Sequence, residues 1–140
     1  MEKRNGLVAN KDASNVDCLR QIISKSIFDN NFPKKGEGIF KRYTGHHGHV
    51  KILIEESLER MASSFLCFEV SEIDIPDYFR LNILKAIENF CLVYYVNRID
   101  ALNLNFTIIG GSSHDVDSRD SDYEIATYYA LLDAFSKKEI

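Results

Sequence analysis

The chain has 140 residues and a mass of 16.1 kDa, which suffices for one domain of ordinary size and excludes a second deep core. Its 45% apolar and 27% charged residues, with only two prolines, are typical of a folded globular protein. The net charge is −4, but residues 1–60 carry +3 and residues 61–140 carry −7. This distribution excludes a strongly basic nucleic-acid-binding protein and leaves a local basic face in the first half open.

The three cysteines are odd in number, far apart and set among apolar neighbours: Cys18, Cys67 and Cys91. They predict buried free thiols of a reducing compartment rather than a disulfide framework or a zinc site. No stretch approaches the roughly 18 apolar residues of a membrane span, and the N-terminus lacks the apolar core of a secretory signal. We therefore expect a cytoplasmic location and no membrane contact.

The first predicted element is an amphipathic helix from Ser14 or Asn15 to about Phe28. Its apolar positions recur every three or four residues: Val16, Leu19, Ile22, Ile23 and Ile27. Residues 29–38, with two adjacent Asn, one Pro and two Gly, predict a loop or linker.

Three strand-like segments follow, at residues 39–44, 50–56 and 65–70. In the second, Val50, Ile52 and Ile54 alternate with their neighbours and predict one buried face. Between the first two segments lies Gly45-His46-His47-Gly48-His49, whose glycines permit the positive φ of a hairpin connection. The three histidines are therefore expected on an exposed loop.

A helix from Pro76, a fourth strand and a last helix complete the predicted fold. The strand alternates over residues 102–108 and ends in a loop at residues 110–114, and Asp117 or Ser118 suits the cap of the last helix. The expected buried stripes are Phe79, Ile83, Ala86, Ile87 and Phe90 in one helix, and Tyr123, Ala126, Ala130, Leu131 and Phe135 in the other. The order, a helix followed by β-β-β-α-β-α, predicts an α+β two-layer sandwich with the helices on one face of the sheet.

Two segments resemble the loop motifs of domain IV of translation elongation factor G. Gly45-His46-His47-Gly48-His49-Val50 is similar to Gly-Gln-Tyr-Gly-His-Val, and Gly111-Ser112-Ser113-His114-Asp115-Val116-Asp117-Ser118 to Gly-Ser-Tyr-His-Asp-Val-Asp-Ser. Between them, residues 75–79 and 85–87 resemble the family's Pro-x-Glu-Tyr and Lys-Gly-Ile. The likeness covers about residues 37–138 and divides the chain into an N-terminal tail, helix and linker (1–36) and a domain IV-like unit (37–140).

The resemblance implies a left-handed βαβ crossover, as in a ribosomal protein and the protein subunit of ribonuclease P. In this family the domain reaches the decoding centre of the small ribosomal subunit and acts by contact, without covalent chemistry. The chain contains no Gly-x-x-x-x-Gly-Lys-Ser/Thr motif, so we expect no nucleotide binding. It also departs from the family at Glu72-Ile73, Ala86 and residues 94–97, and looks like a diverged, stand-alone copy without the GTPase domain.

The resemblance implies a tip that contacts RNA or the ribosome. The tip residues are Gly45, His46, His47, Gly48, His49, Gly111, Ser112, Ser113, His114 and Asp115. His114 is the best single candidate, while Lys41, Arg42 and Lys51 either meet phosphates or form an ordinary solvated surface. The acidic residues Asp115, Asp117, Asp120, Asp122 and Glu124 are expected to repel phosphate near the tip.

Other interpretations of these residues stay open. His46, His47 and His114 could instead hold a transition metal, or the glycine-rich loops simply tolerate histidines that have no function. Because adjacent loop residues such as Ser112 and His114 do not form a nucleophile and its base, no enzyme and no cofactor is predicted. The alternative function is a repurposed protein-interaction or dimerisation module. The expected partner is thus the small subunit or a structured RNA, or else a second copy or another protein.

Overall fold

The computed structural model describes residues 18, 21–22, 29–42, 45–57, 66–97, 99–114 and 117–136. The strands are β1 (Lys34–Arg42), β2 (His46–Glu56), β3 (Leu66–Phe68) and β4 (Leu104–Ser112). The helices are α1 (Arg80–Asn97), which a short 3-10 turn (Asp77–Phe79) precedes, and α2 (Asp120–Ser136). The predicted order β-β-β-α-β-α and the α+β two-layer sandwich are confirmed.

The four strands form one mixed sheet in the order β1-β2-β4-β3. β1, β2 and β4 are antiparallel neighbours, whereas β3 runs parallel to β4. A bulge in β4 lies opposite Lys51 and Ile52, which pair with Gly110 and Ile108 and leave Ile109 without a partner in the register. α2 lies across β1 and β2, and α1 lies beside α2.

The core lies between the sheet and the helices, as the alternation of apolar residues predicts. Val50, Ile52 and Ile54 are fully buried, and the ring of Phe90 meets that of Phe106 edge-on with centroids 6.0 Å apart. All five residues of the stripe predicted for the helix after Pro76 are buried in α1 and the turn before it: Phe79, Ile83, Ala86, Ile87 and Phe90. In α2, four of the five are buried and Phe135 is partly buried. α2 also buries residues beyond its stripe, because it is covered by the sheet on one side and by α1 on another.

β1 begins at Lys34, so the loop predicted at residues 29–38 is wrong in its second half. Gly36 and Gly38 face α2, where an added Cβ would lie 2.0 Å from the carbonyl oxygen of Ala130 or Ala126. These glycines therefore mark the close approach of a helix rather than a turn. The predicted boundary between residues 36 and 37 falls within β1.

The cysteine prediction is partly wrong. Cys91 is partly buried, and burial raises the pKa of its thiol to about 12, but Cys18 and Cys67 are exposed. Cys67 lies in β3, where successive side chains point to opposite faces, so its apolar neighbours do not bury it. All three are free thiols.

The predicted N-terminal helix falls mostly outside the described residues. Of its positions, Cys18, Gln21 and Ile22 are described; they are helical and exposed. No helix in the described part of the chain is long and apolar enough to cross a membrane.

The close approach of α2 to β1 yields a test of this packing. Gly38→Ala should lower the free energy of unfolding by about 2 kcal/mol or more, because the new methyl group overlaps the backbone of α2. Gly110→Ala is the matched control, since its Cβ would meet only the flexible side chain of Lys51, at 3.1 Å. Urea unfolding of both variants measures the difference, and equal midpoints would contradict the packing described.

Candidate nucleic-acid interface

The two predicted tip segments meet at one end of the sheet. Gly45, with φ of +76°, forms the turn before β2. A Cβ added to Gly45 would lie 2.9 Å from the guanidinium of Arg119, the residue before α2. The hydroxyl of Ser118 donates to the carbonyl oxygen of His47 at 2.9 Å. The hairpin between β1 and β2 and the connection from β4 to α2 thus form one surface.

The three histidines near Gly45 lie in β2 and are partly buried, so the expectation of an exposed loop is wrong. Of the two glycines, only Gly45 forms the turn. Gly48 is a buried strand residue, and a Cβ added to it would lie 2.4 Å from the carbonyl oxygen of Asp122. Because strand side chains alternate, His46 faces the helices while His47 and His49 lie on the open face of the sheet. His46 therefore lies on the opposite side of β2 from His47 and His49.

A buried carboxylate, Asp122, joins β2 to the start of α2. One oxygen contacts His46 Nδ1 at 2.7 Å, and the other accepts the backbone N–H groups of His47 and Arg119, both at 2.9 Å. The contact with Arg119 N–H is one half of a capping box, and a carboxylate is favoured in the first turn of a helix. The pairing of β2 with β4 begins only at His49, so β4 offers no hydrogen-bond partner to the backbone of His47. Asp122 accepts the N–H of His47, and Ser118 donates to its C=O.

The predicted cap of the last helix is wrong. α2 begins at Asp120, and the hydroxyl of Ser118 accepts the backbone N–H of His114 at 2.8 Å instead of one from the helix. The carboxylate of Asp117 lies 3.6 Å from His114 Nδ1. Asp117 and Ser118 therefore shape the loop before α2, and Asp122 performs the capping. Sequence reasoning missed Asp122, although its place three residues after Arg119 is the capping-box spacing.

A hydrogen-bonded network of side chains lies on the open face of the sheet. Ser112 Oγ lies 2.8 Å from His49 Nδ1 and 3.1 Å from His47 Nε2, while His49 Nε2 contacts the Glu37 carboxylate. A carboxylate accepts only, so His49 Nε2–H donates to Glu37. Ser112 Oγ lies between the two imidazoles and joins them in one network. Sequence reasoning missed Glu37, which closes this network.

The pKa of His47 is lowered, first because burial disfavours the charged imidazolium and next because Lys41, His49 and His114 repel it. Asp122 acts in the opposite direction, but it does not reverse the shift. His47 is therefore held in its neutral form more strongly than a free histidine.

His114 is the exposed imidazole of the tip. Its ring centroid lies 6.3 Å from that of His47, and its Nδ1 accepts the backbone N–H of Asp117 at 3.3 Å. With Nδ1 used as an acceptor, the neutral ring presents Nε2–H as a donor outside this loop contact. Ser113 is partly buried beside it, and Asp115 lies outside the described residues.

Basic side chains surround this end of the sheet. Lys41 lies on the open face directly across from His47, and Arg42 and Arg119 are exposed nearby. Lys51 lies farther along the sheet, across from Glu37. Sequence reasoning missed Arg119, which sits within an otherwise acidic run.

Two carboxylates of the acidic run lie inside the fold. Asp122 and Glu124 are buried, and Glu124 accepts the hydroxyl of Tyr128 at 3.3 Å and lies 3.9 Å from Lys85 Nζ. α2 turns both side chains inward, so they do not lie on the surface. Of the described acids in this run, Asp117 is partly exposed and Asp120 is exposed.

The alternative metal set is not brought together. His46 faces the helices, whereas His47 and His114 meet on the other side of β2. Among the described residues, no group of three or more His, Cys, Asp or Glu side chains is arranged to hold a metal ion.

Comparison with known proteins shows similarity of fold. No protein-family model matches the chain. A solved structure of a Thermus thermophilus protein is similar with a TM-score of 0.54 and 24% sequence identity. The match covers 72% of this chain and 15% of the Thermus protein, so the chain spans a small part of that protein's length. Similarity at this identity shows the fold alone.

The role of Asp122 can be tested by truncation. Asp122→Ala should lower the free energy of unfolding by about 3 kcal/mol, because two partly buried N–H groups and the His46 ring lose their buried acceptor. Asp120→Ala, which changes an exposed carboxylate in the same turn, should cost less than about 1 kcal/mol. Chemical unfolding measures both, and equal losses would refute the role of Asp122.

The lowered pKa of His47 predicts how stability changes with pH. The unfolded chain binds this proton more tightly than the folded one, so stability falls as pH drops below about 6.5 and levels off below the folded-state pKa. Unfolding free energies between pH 7.5 and 5 should therefore decline less steeply in His47→Gln. His114→Gln, which removes a smaller cause of the shift, should keep most of the decline. A decline in His47→Gln as steep as in the parent would contradict the shift.

Proposed function

We propose that the chain is a non-catalytic module that binds structured RNA, with the small ribosomal subunit as its target. Its binding surface, the tip surface, consists of Lys41, His47, His114 and Arg119 around the Gly45 turn. The observation that carries the proposal is the meeting of the two loop motifs at one end of the sheet. These are the segments in which the sequence resembles domain IV of elongation factor G.

The chemistry of the tip surface suits RNA. Lys41 and Arg119 supply cations for phosphates, and the Nε2–H of His114 is a donor for a phosphate oxygen or a 2′-hydroxyl. Gly45 supplies the positive φ of the turn, and the Arg119 guanidinium lies beside it, where a side chain would otherwise be. Asp122 and Glu124 are buried, so neither carboxylate is in direct contact with a ligand at the surface.

The proposal needs no reaction, nucleotide or cofactor. Binding is weak and sensitive to salt, because only a few cations are available on a chain whose net charge is −4.

Co-sedimentation with purified small ribosomal subunits tests this proposal. We expect the protein to pellet with the subunits at about 50 mM salt and to be released at about 300 mM. Lys41→Ala should weaken binding about threefold to tenfold, and His114→Ala should also weaken it. The matched control is Lys35→Ala, on the same strand and face but about 20 Å from Lys41.

Lys35→Ala should bind as the parent does. The proposal fails if no protein pellets at low salt, or if Lys35→Ala and Lys41→Ala lose binding equally, which indicates non-specific attraction. Failure at low salt would favour the repurposed protein-interaction module.

A further inference from the structure

The outer face of α1 carries large apolar side chains that the fold leaves exposed. Leu81 and Leu92 are 75% and 64% exposed, and Val96 is 78% exposed. Tyr78, in the turn before α1, and Tyr95, near the end of the helix, are also exposed. The outer face of a surface helix is usually polar, and contiguous exposed apolar surfaces mark contact sites. We call these five residues the α1 stripe.

The stripe belongs to a seam with the spacing of paired helices. Its exposed positions are separated alternately by three and four residues: Tyr78, Leu81, Lys85, Glu88, Leu92 and Tyr95. This is the seven-residue repeat by which two helices pack side by side. The seam lies on the side of α1 opposite its buried stripe, so it faces away from the core.

Two opposite charges lie at the centre of the seam and specify the partner and its direction. Lys85 Nζ lies 3.9 Å from Glu124 Oε1 of its own chain, but its side chain is 61% exposed and accessible to a partner. Glu88 is exposed as well. If a second copy of α1 runs antiparallel about a two-fold axis between residues 86 and 87, Lys85 of each copy faces Glu88 of the other. Parallel pairing would bring Lys85 to Lys85 and Glu88 to Glu88, where like charges repel.

We propose that two copies of the chain associate through the α1 stripe as an antiparallel helix pair. The axis that pairs Lys85 with Glu88 also places Leu81 across from Leu92. It places Tyr78 across from Tyr95 in the same way. The surface is therefore complementary to itself, as an interface about a two-fold axis requires, and the central charges fix its register.

The expected dimer is weak and separate from the tip surface. One helix pair buries less than the roughly 800 Å² per partner of a standard interface, so we expect a dissociation constant of about 10 µM. None of the tip-surface residues lies on α1, so the association does not depend on RNA binding.

Sedimentation velocity of the full chain tests the association. We expect a dimer at about 200 µM that dissociates on dilution to about 2 µM. Leu92→Asp should raise the dissociation constant about tenfold or more, because it places a carboxylate among the apolar contacts at each end of the pair. Ile39→Asp is the matched control, since Ile39 is 49% exposed on β1 and lies outside the stripe. It should leave the constant unchanged, and far-UV circular dichroism verifies that each variant is folded.

Charge exchange between two chains tests the register. Lys85→Glu alone and Glu88→Lys alone should each raise the dissociation constant about tenfold or more, because each brings like charges together across the axis. An equimolar mixture of the two variants should dimerise about as tightly as the parent, since every facing pair is again opposite in charge. Rescue between chains excludes an effect within one chain.

Three results would overturn the proposal. A parent that stays monomeric at about 200 µM would leave the stripe to a partner of another kind. A dimer that Leu92→Asp leaves intact would lie on a different surface. A mixture of the charge variants that fails to dimerise would refute the antiparallel pairing of Lys85 with Glu88.

Discussion

α2 lies against β1 and β2 at a distance that leaves no space for a side chain at three strand positions, Gly36, Gly38 and Gly48. At Gly36 and Gly38 a methyl group would overlap the backbone of α2, and at Gly48 it would overlap that of Asp122. The facing residues of α2 along β1 are themselves small: Ala126, Ala130 and Ala134. Small residues on both sides bring the helix backbone onto the sheet, which fixes where α2 begins.

The position of α2 in turn determines the geometry of the tip. Asp122 is close enough to β2 to accept the N–H of His47, and Ser118 is close enough to donate to its carbonyl. Both contacts replace sheet hydrogen bonds that end at the His49–Ser112 pair. The tip therefore depends on a strand and on a helix start, which hold side chains more precisely than free loops do.

The spacing of apolar residues in the sequence predicted those strands and helices that bury one face. Val50, Ile52 and Ile54 alternate because one face of β2 is buried, and this pattern needs no knowledge of the partner. Gly38 is different, because a glycine that a turn requires and a glycine that a neighbouring helix requires are identical in sequence. Residues 34–38 were therefore predicted as a loop, although they form the first half of β1.

The candidate site shows the same limit: the matched motifs located His47 and His114 at one end of the sheet, but which side of β2 His46 occupies depends on where the strand begins. Asp122 was likewise one acid among several until its packing against Gly48 was known.

The charge of the tip follows from this packing rather than from composition. Residues 61–140 carry a net charge of −7, and the whole acidic run after His114 contributes to it. Folding turns Asp122 and Glu124 inward, where hydrogen bonds satisfy them, and leaves Lys41 and Arg119 outside. A chain of net negative charge can in this way place two basic side chains, Lys41 and Arg119, near the Gly45 turn.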